Sequence, residues 1–312
     1  MKPIQNLVVA AMVLAAATAH ANNLSARREG SLLKVTGDSR ANWVTVTQSA
    51  TGDVTIAGLN GTKVNGRTSV RFVRPRFSQA EFRLGSGNDR ITFSGFTVTD
   101  DLFVNLGPGN DILSTVATRP VRAGKNFRIE GEAGSDAVRL NNVVSGEDLG
   151  IEGGTGPLTA SVSRARVGKT LTVIGDLLAD TVTVADTMAT GPVSVEVKSG
   201  NDRVTLARSA ADGWFVNTDE GADRITATAV TGREDIGLFA GKDSDVVGLV
   251  RVRAGKNLTL TLDTGNDTAS GQEVTAAFDL VVEGGDGQDV LTDLGISGGT
   301  KTEFKDIEVI LP

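Results

Sequence analysis

The chain has 312 residues, with 38 acidic against 31 basic side chains, a formal net charge of −7, one histidine, no cysteine and no tyrosine. This acidic balance argues against nucleic acid and anionic membrane as partners. The single histidine is His20, within an N-terminal segment expected to be removed, so the mature chain is left without His-based acid–base catalysis, a Cys nucleophile or a His-ligated zinc site.

Residues 1–21 read as a signal peptide. Lys2 precedes an apolar stretch from Leu7 to Ala17, and Ala19-His20-Ala21 has the small-x-small pattern of a cleavage site. The stretch is short for a membrane span. The expectation is a secreted protein, extracellular or periplasmic, starting at Asn22 with net charge −8 once Lys2 is gone. Export permits disulfides, but with no cysteine the fold must be stabilised otherwise.

Residues 22–80 show alternating apolar runs at Leu33-x-Val35 and Asn42-x-Val44-x-Val46, separated by Gly37-Asp38. They are expected to form an N-terminal cap with two divergent coils. From 81 to 302 the pattern becomes regular. Gly87-Asn88-Asp89 returns as Gly109-Asn110-Asp111, Gly200-Asn201-Asp202 and Gly265-Asn266-Asp267. Weaker copies end in Asp136, Asp180, Asp223, Asp245 and Asp289. The steps between these aspartates are 22, 25, 44, 22, 21, 22, 22 and 22 residues, and Leu158 occupies the position skipped by the 44. A fixed period of this length marks a stacked repeat.

Each period opens with an alternating run such as Leu102-x-Val104, passes through the acidic turn, and continues into a second run such as Ile91-x-Phe93 or Val182-x-Val184. Alternation puts every second side chain on one face. A single period has too little apolar surface to fold alone, whereas stacked periods bury a continuous core. The predicted fold is all-β, a parallel β-helix (β-solenoid) of ten coils with about 22 residues each. Residues 303–312 break the period and are expected to form a C-terminal cap strand over an otherwise open sheet edge.

A second turn recurs as Arg122-Ala123-Gly124-Lys125-Asn126, Val167-Gly168-Lys169-Thr170 and Arg253-Ala254-Gly255-Lys256-Asn257. It fits ordinary glycine turn chemistry. A basic row for anionic glycans is the alternative.

Stacking would bring the turn aspartates close together. Two like charges about 5 Å apart repel by roughly 0.8 kcal/mol in water and about 3–4 kcal/mol at an effective dielectric of 20. Solvent, turn amides or a bound cation must relieve that repulsion. Asp and Asn readily accept hydrogen bonds from turn N–H groups; calcium would instead gather carboxylates and main-chain carbonyls.

Gly284-Gly285-Asp286-Gly287-Gln288-Asp289-Val290-Leu291-Thr292 resembles the GGxGxDxUx nonapeptide of hemolysin-type (RTX) calcium-binding repeats, and Leu84 to Thr92 and Leu106 to Ser114 are similar to it. The resemblance implies calcium as cofactor, with Asp89, Asp111, Asp136, Asp180, Asp202, Asp223, Asp245, Asp267 and Asp289 as ligands. The period differs: that family pairs two nonapeptides in an 18-residue coil, whereas here one motif serves about 22 residues.

Two functions follow as expectations. One is a non-enzymatic extracellular repeat protein, structural, adhesive or at the cell surface, partnered by extracellular polysaccharide or a cell surface. The other is a β-helix polysaccharide lyase or hydrolase working with Asp, Lys and Arg. The few aromatics and the absence of long insertions favour the first.

Overall fold

The computed structural model describes residues 23–312, so the expected signal peptide lies outside the described residues. Among these residues every regular element is a strand. The fold is a parallel β-solenoid whose ten coils repeat about every 22 residues.

The first strand of each coil, from Gln79–Arg83 and Leu102–Asn105 to Asp279–Gly287, pairs in parallel with its counterpart one coil on. The apolar pairs read from the sequence fall in register: Leu102 lies beside Phe127 and Val104 beside Ile129, and the rows continue through Leu149 and Ile151. All six are buried, because alternation turns them toward the coil interior while Arg128 and Glu130 face out.

The second strands, such as Arg90–Ser94 and Thr181–Ala185, and the third, such as Thr97–Val98 and Met188–Ala189, form two further parallel ladders within one sheet. The corner between them is a left-handed residue. Asn142, Arg164, Asp186, Arg208, Ala229, Arg251 and Glu273 hold φ between 47° and 60° there, and Gly95 and Gly295 take the same place. The three extra residues of the coil after Asp111 are absorbed at this corner, in the turn around 117–120.

The N-terminal region differs from the two divergent coils expected. Leu32–Thr36 and Trp43–Gln48 make one coil, aligned in parallel with Gln79–Arg83 and Arg90–Ser94. Val54–Leu59 and Ser69–Phe72 then fold back antiparallel, Ile56 lying opposite both Val46 and Val70, and Asn23–Glu29 runs antiparallel to Leu32–Thr36. Gly52 and Gly66, at φ 91° and 74°, permit tight reversals that the coil corners lack. The result covers the first edge with hairpins.

The opposite end is also not the expected cap. Lys301–Lys305 and Val309–Leu311 extend the two sheets by one more parallel strand each, Val309 pairing with Val290. Val309, Ile310 and Leu311 stay exposed.

Candidate functional site: a buried aspartate spine

The acidic turn ends where the second strand begins, and its aspartate is in phase with the apolar residues that follow. Asp89-x-Ile91-x-Phe93 and Asp180-x-Val182-x-Val184 point to one side, and that side is the core. All nine aspartates are therefore inside the wall, none more than 3% exposed.

They form a directional ladder. Asp89 Oδ1 accepts the N–H of Asn42 at 2.5 Å, and the Asp89 N–H donates to Asp111 Oδ1 at 2.5 Å. The Asp111 N–H reaches Asp136 Oδ1 at 2.9 Å. After the Leu158 position the ladder resumes: the Leu158 N–H donates to Asp180 Oδ1, and Asp180, Asp202, Asp223, Asp245 and Asp267 donate in turn to Asp202, Asp223, Asp245, Asp267 and Asp289, at 2.6–2.9 Å. Glu308 ends the series, its Oε2 accepting the Asp289 N–H at 2.6 Å. Each carboxylate thus satisfies a buried amide one coil earlier. Leu158 has no acceptor to offer, and the Asp136 N–H turns to the Pro157 carbonyl at 3.0 Å.

The second oxygen is the unusual one. Oδ2 of Asp89, Asp111, Asp136, Asp202, Asp223, Asp245, Asp267 and Asp289 is buried with no hydrogen-bond partner; only Asp180 Oδ2 has one, the Asp176 N–H at 3.0 Å. Asn42 occupies the same register one rung before Asp89. Its Nδ2 donates to the Arg40 carbonyl at 2.6 Å and the Leu84 carbonyl at 3.3 Å. At that rung the second side-chain atom is surrounded by acceptors and is served by a donor. An ionised carboxylate supplies none; a protonated one supplies one.

Burial is the main reason eight of these carboxyls lie above the ordinary aspartate range. It raises Asp111 and Asp245 to about 8, Asp89 and Asp202 to about 7, and Asp136, Asp223 and Asp267 to about 6. Asp180 is raised for the same reason. The ladder amides oppose the rise, while neighbouring rungs add to it in several cases, Asp89 and Asp136 acting on Asp111. One pH unit corresponds to about 1.4 kcal/mol, so ionising a rung near pH 7 is costly.

The motif glycines set the coil spacing. A Cβ on Gly107 would sit 1.7 Å from the Gly85 carbonyl oxygen, and one on Gly221 1.6 Å from that of Gly200, both at positive φ. Backbone passes directly over backbone at these points.

Other polar ladders line the outside. The Asn110 N–H donates to Asn88 Oδ1 at 2.9 Å, and the Ser135 N–H to Asn110 Oδ1 at 2.8 Å. On the far turn the Thr170 N–H donates to Asp148 Oδ1 at 3.0 Å. The lysines of the second turn form no free basic row: Lys125 pairs with Asp100 at 3.0 Å, Lys169 with Glu147 at 2.7 Å, and Lys256 with Glu234.

The sequence reading placed all nine aspartates in one stack, and the structure brings them together. Asn42-x-Val44-x-Val46 parallels Asp180-x-Val182-x-Val184 in the sequence, and Asn42 is indeed the first rung, whereas Glu308 as the last rung and the outward-facing Phe215 and Phe239 are not evident there. Nothing in the period flags Glu308, 19 residues after Asp289.

As a calcium site the spine fits poorly. One oxygen of each aspartate is engaged by an amide, and among the described residues no three His, Cys, Asp or Glu side chains converge so as to hold a metal. A calcium ion takes six to eight oxygens, so main-chain carbonyls would have to supply most of them. No family model, curated protein or solved structure matches the chain.

Proposed function

We propose that this is a non-enzymatic extracellular repeat protein, a structural or adhesive rod whose partner is extracellular polysaccharide or a cell surface. One observation carries the reading: the repeated acidic residues, the chemistry-bearing groups the chain spends most regularly, are buried in its wall as amide acceptors and do not line a cleft. Between 81 and 302 the coils also keep one outline, with three extra residues at a corner as the largest excursion. The apolar start of the chain, with its small-x-small site at Ala19-His20-Ala21, supports an exported protein.

The test is fractionation together with incubation. The protein should be found outside the cytoplasm, beginning at Asn22, and the purified rod should leave pectin, alginate and related polyuronates intact. New unsaturated or reducing ends would overturn the reading in favour of the lyase or hydrolase.

A second reading rests on the resemblance to hemolysin-type repeats alone: calcium bound along the spine. A cation saturating the folded state at 100 times its dissociation constant adds about 2.7 kcal/mol of stability. Thermal unfolding in millimolar calcium against EGTA decides it, and an unchanged midpoint removes calcium from the account.

A further inference from the structure

The outward face of the first-strand sheet is built differently at its two ends. Near the start, the Arg83 guanidinium lies 4.9 Å from the centre of the Phe103 ring and pairs with Glu81. Arg128 bridges Glu130 at 2.9 Å and Glu152 at 3.1 Å. Each of these arginines meets carboxylate, and one also meets an aromatic ring.

Five coils on, Phe215 takes the register position of Phe103. Phe215 is 42% exposed. Phe239 folds over Gly237, which has no side chain to obstruct it, and the two rings meet with centroids 5.4 Å apart. Beside them Asp219 and Asp263 come from the coils on either side of Gly241, whose backbone lies directly against that of Asp219. The hollow measures about 360 Å³, and neither arginine nor lysine lines it. Among the described residues no ion pair engages Asp219 or Asp263. Lys242 feels both charges, but its ammonium is bound to Glu220 at 2.5 Å.

Aromatic ring and carboxylate are thus present as they are around Arg83, and the guanidinium is missing. We propose that this hollow recognises an arginine side chain presented by a basic peptide segment of a partner protein. The planar cation stacks on the exposed Phe215–Phe239 surface, where the ring quadrupole attracts it. Its N–H fork faces the two aspartates, and charge-assisted pairs of this kind are the strong ones. The polar neighbours Asn217 and Thr261 frame the opening. This inference rests on the outward face alone and stands whether or not the extracellular reading holds.

The probe is a fluorescent acetyl-(Gly-Arg)4-amide, titrated against the whole protein at physiological salt by polarisation. Phe215→Thr copies the polar residues that Thr172 and Ser194 supply along the same row, and Asp263→Asn keeps the shape of a residue at φ 74°. Both variants should melt as the wild type does. Each should weaken binding roughly tenfold, the size expected for loss of one cation–π or charge-assisted contact. Glu147→Gln, on the remote turn, should leave it unchanged. A lysine version of the peptide should bind several-fold more weakly, since ammonium lacks the planar fork. Equal binding to wild type and both site variants would overturn the proposal and reduce the attraction to general acidity. Binding of maltoheptaose that is lost in Phe215→Thr, with no peptide binding, would overturn it in favour of a glycan site.

Discussion

Asp111 on the inner side of the acidic turn reaches back to the amide of Asp89, one coil earlier. Asn88 on the outer side of the neighbouring turn reaches forward to the amide of Asn110, one coil later. Both side chains do the same work, capping main-chain N–H groups left over where a strand ladder gives way to a turn. They do it in different solvents. The outer series tolerates Asn88, Asn110, Asn201, Ser244 and Asn266, because water can replace any of them. The inner series is aspartate at nine rungs, with Asn42 before it and one interruption at Leu158. Where water is excluded, the missing acceptor must be built in, and the charge that comes with it must be neutralised.

The largest break in this comparison comes from the backbone beneath each series. Gly221→Ala places a methyl group 1.6 Å from the Gly200 carbonyl oxygen at φ 131°, so two coils must separate. A loss above about 3 kcal/mol is expected, in the range of overpacked or strained core sites. Gly150→Ala, on the open outer face with nothing within 4 Å, should change stability by less than about 0.5 kcal/mol. Urea unfolding of both variants checks the contrast; a mild Gly221→Ala would mean that the coil stacking is looser than the register indicates.

Protonation separates the two series next. An aspartate in the unfolded chain titrates near 3.9, whereas burial raises Asp136, Asp223 and Asp267 to about 6, Asp89 and Asp202 to about 7, and Asp111 and Asp245 to about 8. Between those limits the native state binds more protons than the unfolded state, so stability falls as pH rises through roughly 4 to 8 and levels off above. Below about 4 the spine contributes no slope, because both states are protonated. Exposed Asp186, held below its ordinary value by its hydrogen bond to Arg208, works in the opposite sense and only in acid, where its contribution is lost. Asp245→Asn replaces the carboxyl with the amide that serves at Asn42. It should raise stability near pH 8, on the order of 1–3 kcal/mol and read as a higher melting temperature, and do nothing or slightly harm near pH 4. A spine held by calcium gives the reverse at neutral pH, since the variant loses a ligand.

How much of this was legible in the sequence follows from what repeats. The coil, its 22-residue period and the inward rows from Leu102 to Val282 are set by alternation, and they appear as read. The aspartate stack was legible too, but its depth was hidden, because an acidic glycine-rich turn suggests surface. The overlooked clue was phase: Asp136 falls on the same parity as Val138 and Leu140. The ends were not legible. Asn42 and Asp89 are neighbours in space although 47 residues apart, because the hairpins between them leave the coil path and return. No periodic signal spans such an excursion. The Phe215–Phe239 pair is hard to read for a related reason: both residues are apolar, yet they stand on the opposite parity from Val216 and Leu238 and so face outward.

Removing a rung altogether is a smaller perturbation than shifting a coil. Asp202→Ala, measured near pH 5 so that ionisation of the lost carboxyl does not offset the effect, strands the buried Asp180 N–H now bonded at 2.6 Å. An unsatisfied buried donor costs about 1–3 kcal/mol. Asp148→Ala removes the matching acceptor of the Thr170 N–H on the exposed turn, where water replaces it, and should cost under about 0.5 kcal/mol. Equal losses at the two sites would show that burial is not what distinguishes them.

The smallest expected effect lies at the corner between the second and third strands, and it tests whether the rod is strained along its whole length. Ala229 sits there at φ 54°, a region in which an L-residue is disfavoured by about 1–2 kcal/mol because its Cβ crowds the following carbonyl. Its counterparts Asn142, Arg164, Asp186, Arg208, Arg251 and Glu273 share the conformation. Some recover part of the cost locally: Arg208 makes a paired contact with Asp186 at 2.6 and 2.8 Å, and the Asn142 amide donates to the Ala117 carbonyl at 2.9 Å. Alanine has no polar atom with which to do so. Ala229→Gly should therefore raise stability by about 0.5–1 kcal/mol, the steric relief outweighing the greater freedom that glycine has in the unfolded chain. Arg208→Gly relieves the same strain while removing the bond to Asp186, and should gain less. A gain at Arg208 equal to that at Ala229 would mean that the corner side chains decorate the solenoid without holding its coils together.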